Sequence, residues 1–249
     1  MRRFPTEFAD LLSRQGLALL AGRHPDAGRL AEPRTRFLAL SGLLEARQSA
    51  GAASLLEQAV GPHLRLMAQP IPPESIWEMR ANYAEQLPKV MRQRTLHLDS
   101  GKSAGIRAAQ EIGLITMLRS ASYRAFVEAL AGRPLRRKYG LQAIAYHPGD
   151  YAGPHNDHHP EEASARQGYV DMHIGFVTPG VKSQLLVYAK AGHFTEVVDV
   201  VGNGLVNAYR LPFWHYTTPL LPKRGQQERA RRWILLGTFL YETSFYGAK

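Results

Sequence analysis

The stretch "YHPGDYAGPHNDHHPEE", residues 146–162, decides how the chain is read. It packs four histidines and four carboxylates into seventeen residues, with proline and glycine turn signals just before the central "HND". His155 and Asp157 stand one residue apart. At an extended strand end, side chains at i and i+2 point the same way, so both can reach one ion. Two ligands do not make a site, and taken alone the stretch reads equally well as a polar loop with a turn-capping pair. A third ligand has to come from elsewhere. Cysteine is absent, which leaves His, Asp and Glu and excludes disulfides, Cys-ligated zinc and iron–sulfur clusters. The strongest candidate is His215 in "RLPFWHYTTPL" (210–220), on or beside a late strand.

The rest of the chain supplies the setting. Its 249 residues make one large domain or two small ones, and an apolar content of 45% allows a full core. No run approaches the ~18 apolar residues that a membrane span needs. "MRRFPTEFADLLSRQGLALLAG" (1–22) is interrupted by Glu7, Asp10 and Arg14 and reads as an amphipathic helix, not a leader. The cytoplasm is the expected compartment. A net charge of +10 favours anionic partners, although the clusters "RPLRRK" (133–138) and "KRGQQERARR" (223–232) read most simply as solvated faces.

The pattern changes near residue 100. Before it, segments rich in Ala, Leu, Glu and Arg carry helical periodicity, at 5–22, at 34–67 and, after a proline start, at 73–93. Two further helices are expected at 103–119 and 120–132, the second capped by Ser120 or Ser122 and stopped by Gly132. After Leu135 short strands follow at about 139–147, 152–156, 168–178, 183–190, 194–201, 204–210, 213–218 and 231–242, with "TPGVKS", "KAGH" and "VGNG" as turns. Eight short, closely spaced strands suggest a jelly roll. The fold class is therefore α+β. A helical region, residues 1–100, packs on a double-stranded β-helix with its supporting helices, residues 101–249. In such a barrel an early and a late strand can bring His215 beside His155 and Asp157. The last strand, "ARRWILLGTFLY" (230–241), opens on arginine, and a guanidinium aimed into a cavity is costly unless something anionic meets it.

These residues carry a resemblance. Tyr-x-x-Gly-Asp-Tyr-x-x-x-His-x-Asp, then a distal His, then Arg-Trp-Ile-Leu, resembles the Fe(II)/2-oxoglutarate-dependent dioxygenases over roughly residues 120–245, above all the prolyl-4-hydroxylase-like group. "GNGLVNAYRLPFWHYTTPL" (202–220) is similar to the segment that delivers that family's distal histidine. The resemblance implies His155, Asp157 and His215 as iron ligands. It implies Arg232 as the grip on the distal carboxylate of 2-oxoglutarate, with Arg231 as the alternative. Tyr146 falls where the family has a tyrosine lining the co-substrate pocket. His173, in "YVDMHIGFV" (169–177), reads as a satisfied core histidine or as a residue facing the co-substrate. Two departures stand out. The loop between His215 and Arg232 is long, which leaves Arg224 and Arg229 as weaker rivals. "KSQLLVY" (182–188) replaces the usual Gly-Gly-x-Leu-like turn, so no pocket residue can be assigned there.

The activity implied is hydroxylation of an unactivated C–H bond with Fe(II), 2-oxoglutarate and O2, ascorbate serving as reductant. The substrate implied is an amino acid, a peptidyl residue or a small anionic metabolite, with no nucleic acid and no membrane. The N-terminal region could buttress the barrel, cap the pocket or form a homodimer surface. The rival is a cupin-like or non-catalytic jelly roll that holds an anionic partner on its basic surface. Gly149, six residues before His155, suits a cupin, but a cupin would place histidine where Asp157 stands. A nucleic-acid demethylase of the same superfamily would carry a second arginine at position 238, which is Thr.

Overall fold

The computed structural model describes residues 2–69, 91–99, 101–156 and 168–243. Its strands are β1 Phe37–Leu40, β2 Arg65–Gln69, β3 Met91–His97, β4 Gly140–Tyr146, β5 Tyr151–His155, β6 Tyr169–Val177, β7 Val181–Ser183, β8 Leu185–Lys190, β9 His193–Asp199, β10 Leu205–Arg210, β11 His215–Thr217, β12 Leu221–Pro222 and β13 Arg232–Leu240. Its helices are α1 Arg14–Leu20, α2 Ala46–Ala59, α3 Ala104–Glu111, α4 Leu114–Leu118 and α5 Ala121–Ala131. The main sheet is ordered β1-β10-β6-β13-β4-β3-β5-β11-β8-β9, and every pairing in it is antiparallel. This is a double-stranded β-helix. One wall is β10-β6-β13-β4, the other is β5-β11-β8-β9, and β3 joins them by pairing Arg94 with Ala145 of β4 and Arg92 with Tyr151 of β5.

Alternation along the first wall decides which side chains meet. On β13, Trp233, Leu235 and Phe239 enter the large core shared with the helices, while Arg232, Ile234, Leu236 and Thr238 face the barrel cavity. On β6, Val170, Met172 and Ile174 face the core, and Tyr169, Asp171 and His173 face the cavity. Phe126, Tyr123 and Leu56 of the helices cover the outer face of this wall. Burying that apolar face is the main favourable term in holding the layers together.

The helix ends follow local chemistry. Ser120 caps α5 by accepting from Tyr123 N, and Gly132 ends it at φ 65, a conformation that suits glycine. A Cβ on Gly132 would lie 2.8 Å from Gly28 Cα, so the two loops could not approach as they do. The helix expected over 103–119 is broken by Gly113 at φ 76 into α3 and α4. The first 100 residues differ from the helical expectation. Beside α1 and α2 they contribute β1, which pairs with β10, and β2 and β3, which pair with each other. Sheet edges that offer unpaired backbone groups override the helix propensity of Leu-, Arg- and Gln-rich segments as short as Phe37–Leu40 and Arg65–Gln69. Residues 73–90 of the expected 73–93 helix lie outside the described residues, and Met91–Gln93 are strand.

β4 and β5 are one strand path broken at residues 147–150, and the break turns the chain from one wall to the other. Asp150, 1% exposed, pins this corner. Its carboxylate accepts from Arg92 Nε at 3.1 Å, from Arg94 Nη1 at 2.5 Å and from His147 N at 2.9 Å. Its carbonyl accepts from Leu220 N at 2.9 Å. His147 is half-buried here. Burial, then Arg231 and Arg94, push its pKa down to about 4, so it adds no positive charge at neutral pH. Arg92 and Arg94 keep access to water, at 53% and 25% exposure, so the cost of losing the carboxylate lies in its lost charge-assisted hydrogen bonds and in the unmet His147 N–H. Asp150→Ala should therefore cost about 1.5–3 kcal/mol, read as a lower urea midpoint; an unchanged midpoint would show that the corner does not depend on this carboxylate.

Candidate active site

His155 closes β5 and His215 opens β11, and the two are direct cross-strand partners. Their ring centroids lie 4.3 Å apart, and both residues are buried, at 5% and 4% exposure. The register slips by one residue between this pair and Thr217↔Ala152. Pro154 has no N–H to donate at the slip, and Thr217 Oγ1 accepts Ala152 N instead, at 3.0 Å. Such a bulge re-aims the strand end that carries His155.

Each ring is fixed in the same way. His155 Nδ1 donates to Gly153 O at 2.6 Å, and His215 Nδ1 donates to Phe213 O at 2.8 Å, in both cases the carbonyl two residues earlier. A carbonyl only accepts, so Nδ1 carries the proton and, in the neutral ring, Nε2 carries the lone pair. That is how metal-binding imidazoles are oriented. Both histidines line one cavity of about 310 Å3, at the small end of ligand sites. Asp157 lies outside the described residues, and among the described residues no third His, Asp or Glu joins the pair.

Arg232 lies in the same cavity, 2% exposed. Its Nε donates to Val200 O at 3.0 Å and its Nη1 to Gln184 Oε1 at 3.0 Å, while its guanidinium carbon stands 5.5 Å from the Tyr146 ring centroid. Burial lowers its pKa, against raising contributions from Tyr146, Tyr209 and Asp199. Among the described residues no carboxylate comes within ion-pair distance of it, so a desolvated cation is met only by neutral acceptors and a ring face. Arg231 points the other way. Its Nε lies 3.4 Å from Glu57 Oε1 on α2, the carboxylate that also accepts Trp233 Nε1. Strand alternation thus separates the two arginines. The rivals Arg224 and Arg229 do not line the cavity.

Tyr146 and His173 also line the cavity. His173 is hydrogen-bonded through Nδ1 to the Tyr209 hydroxyl, and Tyr209 in turn stands 5.1 Å from the His215 ring. The sequence reading missed Gln184, which is fully buried. Its Nε2 donates to Thr218 O at 3.0 Å and Asp150 O at 3.3 Å. Two carbonyls on one side of the amide fix Oε1 toward Arg232, so the corner residue Asp150 is tied to the cavity cation through one side chain.

The residues present suit the groups that the sequence implies. Two imidazole nitrogens, with a carboxylate two residues along the chain from one of them, form a donor set suited to non-haem Fe(II). The buried Arg232 fork suits an anion.

No protein-family model matches the chain, and no curated protein matches it in sequence. Solved structures do match in fold. A Pseudomonas putida prolyl-4-hydroxylase aligns with 90% of this chain and 99% of its own at 14% identity and a TM-score of 0.52. An oxidoreductase of the 2OG-Fe(II) oxygenase family from Burkholderia pseudomallei aligns with 100% and 98% at 12% identity and 0.52. The non-haem α-ketoglutarate-dependent epimerase SnoN of nogalamycin biosynthesis aligns with 86% and 81% at 14% identity and 0.54. The chain thus has the jelly-roll fold of iron- and 2-oxoglutarate-dependent oxygenases.

The Gln184 contact yields a direct test. Gln184→Glu would set a carboxylate against Arg232 and compete with any anion there. It should raise the dissociation constant for 2-oxoglutarate, measured calorimetrically with Mn(II), by roughly 10- to 100-fold, while Arg231→Leu leaves it unchanged. The opposite ranking would move the anion site to the neighbouring arginine.

Proposed function

We propose that the chain is an Fe(II)- and 2-oxoglutarate-dependent oxygenase that hydroxylates an unactivated C–H bond of an amino acid, a peptidyl residue or a small anionic metabolite. One observation carries this reading. Two carbonyl-fixed imidazoles and a buried guanidinium without a carboxylate partner among the described residues line a single cavity, on the fold of such oxygenases.

His155 and His215 would hold iron through Nε2, with Asp157 as the third ligand. Arg232 would pair with the distal carboxylate of 2-oxoglutarate. Gln184 and Val200 hold its Nη1 and Nε, which would leave Nη2 for that carboxylate. Tyr146 packs over the guanidinium, and Ile144, Leu186 and Ile234 keep the surrounding wall apolar, so water competes poorly for the ion pair. Tyr209 and His173 form a polar couple at the face next to His215 and would supply hydrogen bonds to a ligand held there. When bound, Fe(II) with 2-oxoglutarate and O2 supplies the oxidation, with succinate and CO2 as co-products. A carboxylate at position 157 fills the ligand position that a halide-transferring enzyme must leave open, which favours hydroxylation. Ascorbate would keep the iron reduced. The absence of cysteine suits a reducing cytoplasm, and no helix among the described residues is long and apolar enough to cross a membrane.

The test is succinate release from 2-oxoglutarate with Fe(II) and ascorbate. Slow turnover without added substrate is expected from the native chain, and Asp157→Ala should lose at least about 100-fold, more than the 10- to 100-fold typical of residues that only orient a ligand. Native turnover of zero, or a variant as fast as the native chain, would count against the oxygenase.

A further inference from the structure

A second concavity, of about 490 Å3, lies beyond the aromatic layer that backs His215. Phe213 links the two sites: its ring stacks on the His215 ring at 5.2 Å and its carbonyl holds His215 Nδ1, yet it lines this second groove. The floor is aromatic. Phe37 lies 5.5 Å from Phe213 at an interplanar angle of 13° and 5.0 Å from Tyr188. The rim is basic, with Arg29, Arg34 and Arg36 from the segment before β1 and Lys190 from the end of β8, and among the described residues no Asp or Glu lines the wall.

Two of these cations are matched from outside the groove, Arg29 by Asp26 at 2.6 Å and Lys190 by Glu196 at 3.6 Å. Arg34 and Arg36 have no carboxylate within ion-pair distance among the described residues, and Arg36 Nη1 is buried without a hydrogen-bond acceptor. A partly desolvated guanidinium in that state is costly until an anion reaches it. The rim is also preorganised. Buried Arg210 donates from Nη2 to Glu32 O, Pro33 O and Thr35 O at 3.2, 3.1 and 3.1 Å, and its backbone N–H donates to Arg36 O at 2.9 Å. The loop that presents Arg34 and Arg36 is therefore fixed before any ligand arrives. The near-parallel Phe37 and Phe213 rings, with Tyr188 tilted 50° to Phe37, favour an apolar ring by stacking and edge contact, and the guanidinium fork favours a carboxylate or phosphate.

We infer that this groove is a binding site for an anionic ligand with a planar apolar body, such as an aromatic ring bearing a carboxylate or phosphate. The inference uses neither metal nor 2-oxoglutarate and stands apart from the oxygenase reading. Phenyl phosphate, benzoate and, as the neutral control, phenol are titrated calorimetrically into the full chain at low salt. At least one aromatic anion should bind once per chain, and phenol should not. The preference between the two anions tells phosphate from carboxylate. Arg34→Gln/Arg36→Gln should weaken the binding at least about tenfold and leave 2-oxoglutarate binding unchanged. Lys190→Gln, at an exposed side chain whose loss cannot unfold the protein, should cause a smaller loss. Failure of both anions to bind, equal binding of phenol, an undiminished affinity in the double variant, or loss caused instead by Arg232→Leu would overturn the inference. Failure of 2-oxoglutarate to bind the native chain would count against the oxygenase and leave this result standing.

Discussion

A single buried carboxylate holds the corner on which both walls of the barrel depend. Asp150 takes two arginines of β3 and the amide of His147 on its side chain, and Leu220 N and Gln184 on its carbonyl. Through the first set it turns the β4 path into β5. Through the second it reaches the loop after β11 and the amide that faces Arg232. The strand that ends in His155, the segment that follows His215 and the cavity cation are thus referred to one residue. A charge that deep is tolerable because it is saturated with donors, and that saturation makes the geometry definite.

Against this saturated carboxylate the cavity sets an unsaturated cation. Arg232 is as buried as Asp150, yet its partners among the described residues are a backbone carbonyl, an amide oxygen and a ring face. Folding bears that desolvation cost without recovering it, which is the usual mark of a group arranged for a ligand and not for stability. The two histidines follow the same logic. Each uses its one N–H on a local carbonyl and turns its lone pair to the shared space. The proposed metal and anion positions then lie in one cavity of about 310 Å3.

Much of this is written in the sequence, and the exceptions have physical causes. The strands after residue 139 are legible because apolar residues alternate there between turn signals, and eight of the observed strands from Gly140 to Leu240 fall where expected; the short pair β7 Val181–Ser183 and β12 Leu221–Pro222 does not, β7 lying in the stretch expected as a turn. His155 and His215 are legible as a pair because a jelly roll returns a late strand to an early one. The choice between Arg231 and Arg232 is not, because alternation says only that they diverge. The answer lies in Glu57, far upstream on α2, which holds Arg231 and Trp233 on the outer face. β1, β2 and β3 are hidden because their Leu-, Arg- and Gln-rich composition suits helix, and only the sheet edges they meet make them strands. Gln184 carries no signal at all: its role arises from Arg232, a partner 48 positions along the chain. The basic groove is invisible for the same reason, since its cations come from residues 29–36 and 190.

The account rests on His155 and His215 sharing one metal ion through Nε2. Anaerobic Fe(II) titration of the native chain, of His155→Ala, of His215→Ala and of the double variant tests this most directly. One iron per chain is expected for the native protein. Either single change should abolish tight binding, and the double change should add little, since the two act as a unit. An His215→Ala chain that binds iron with native affinity would contradict the account.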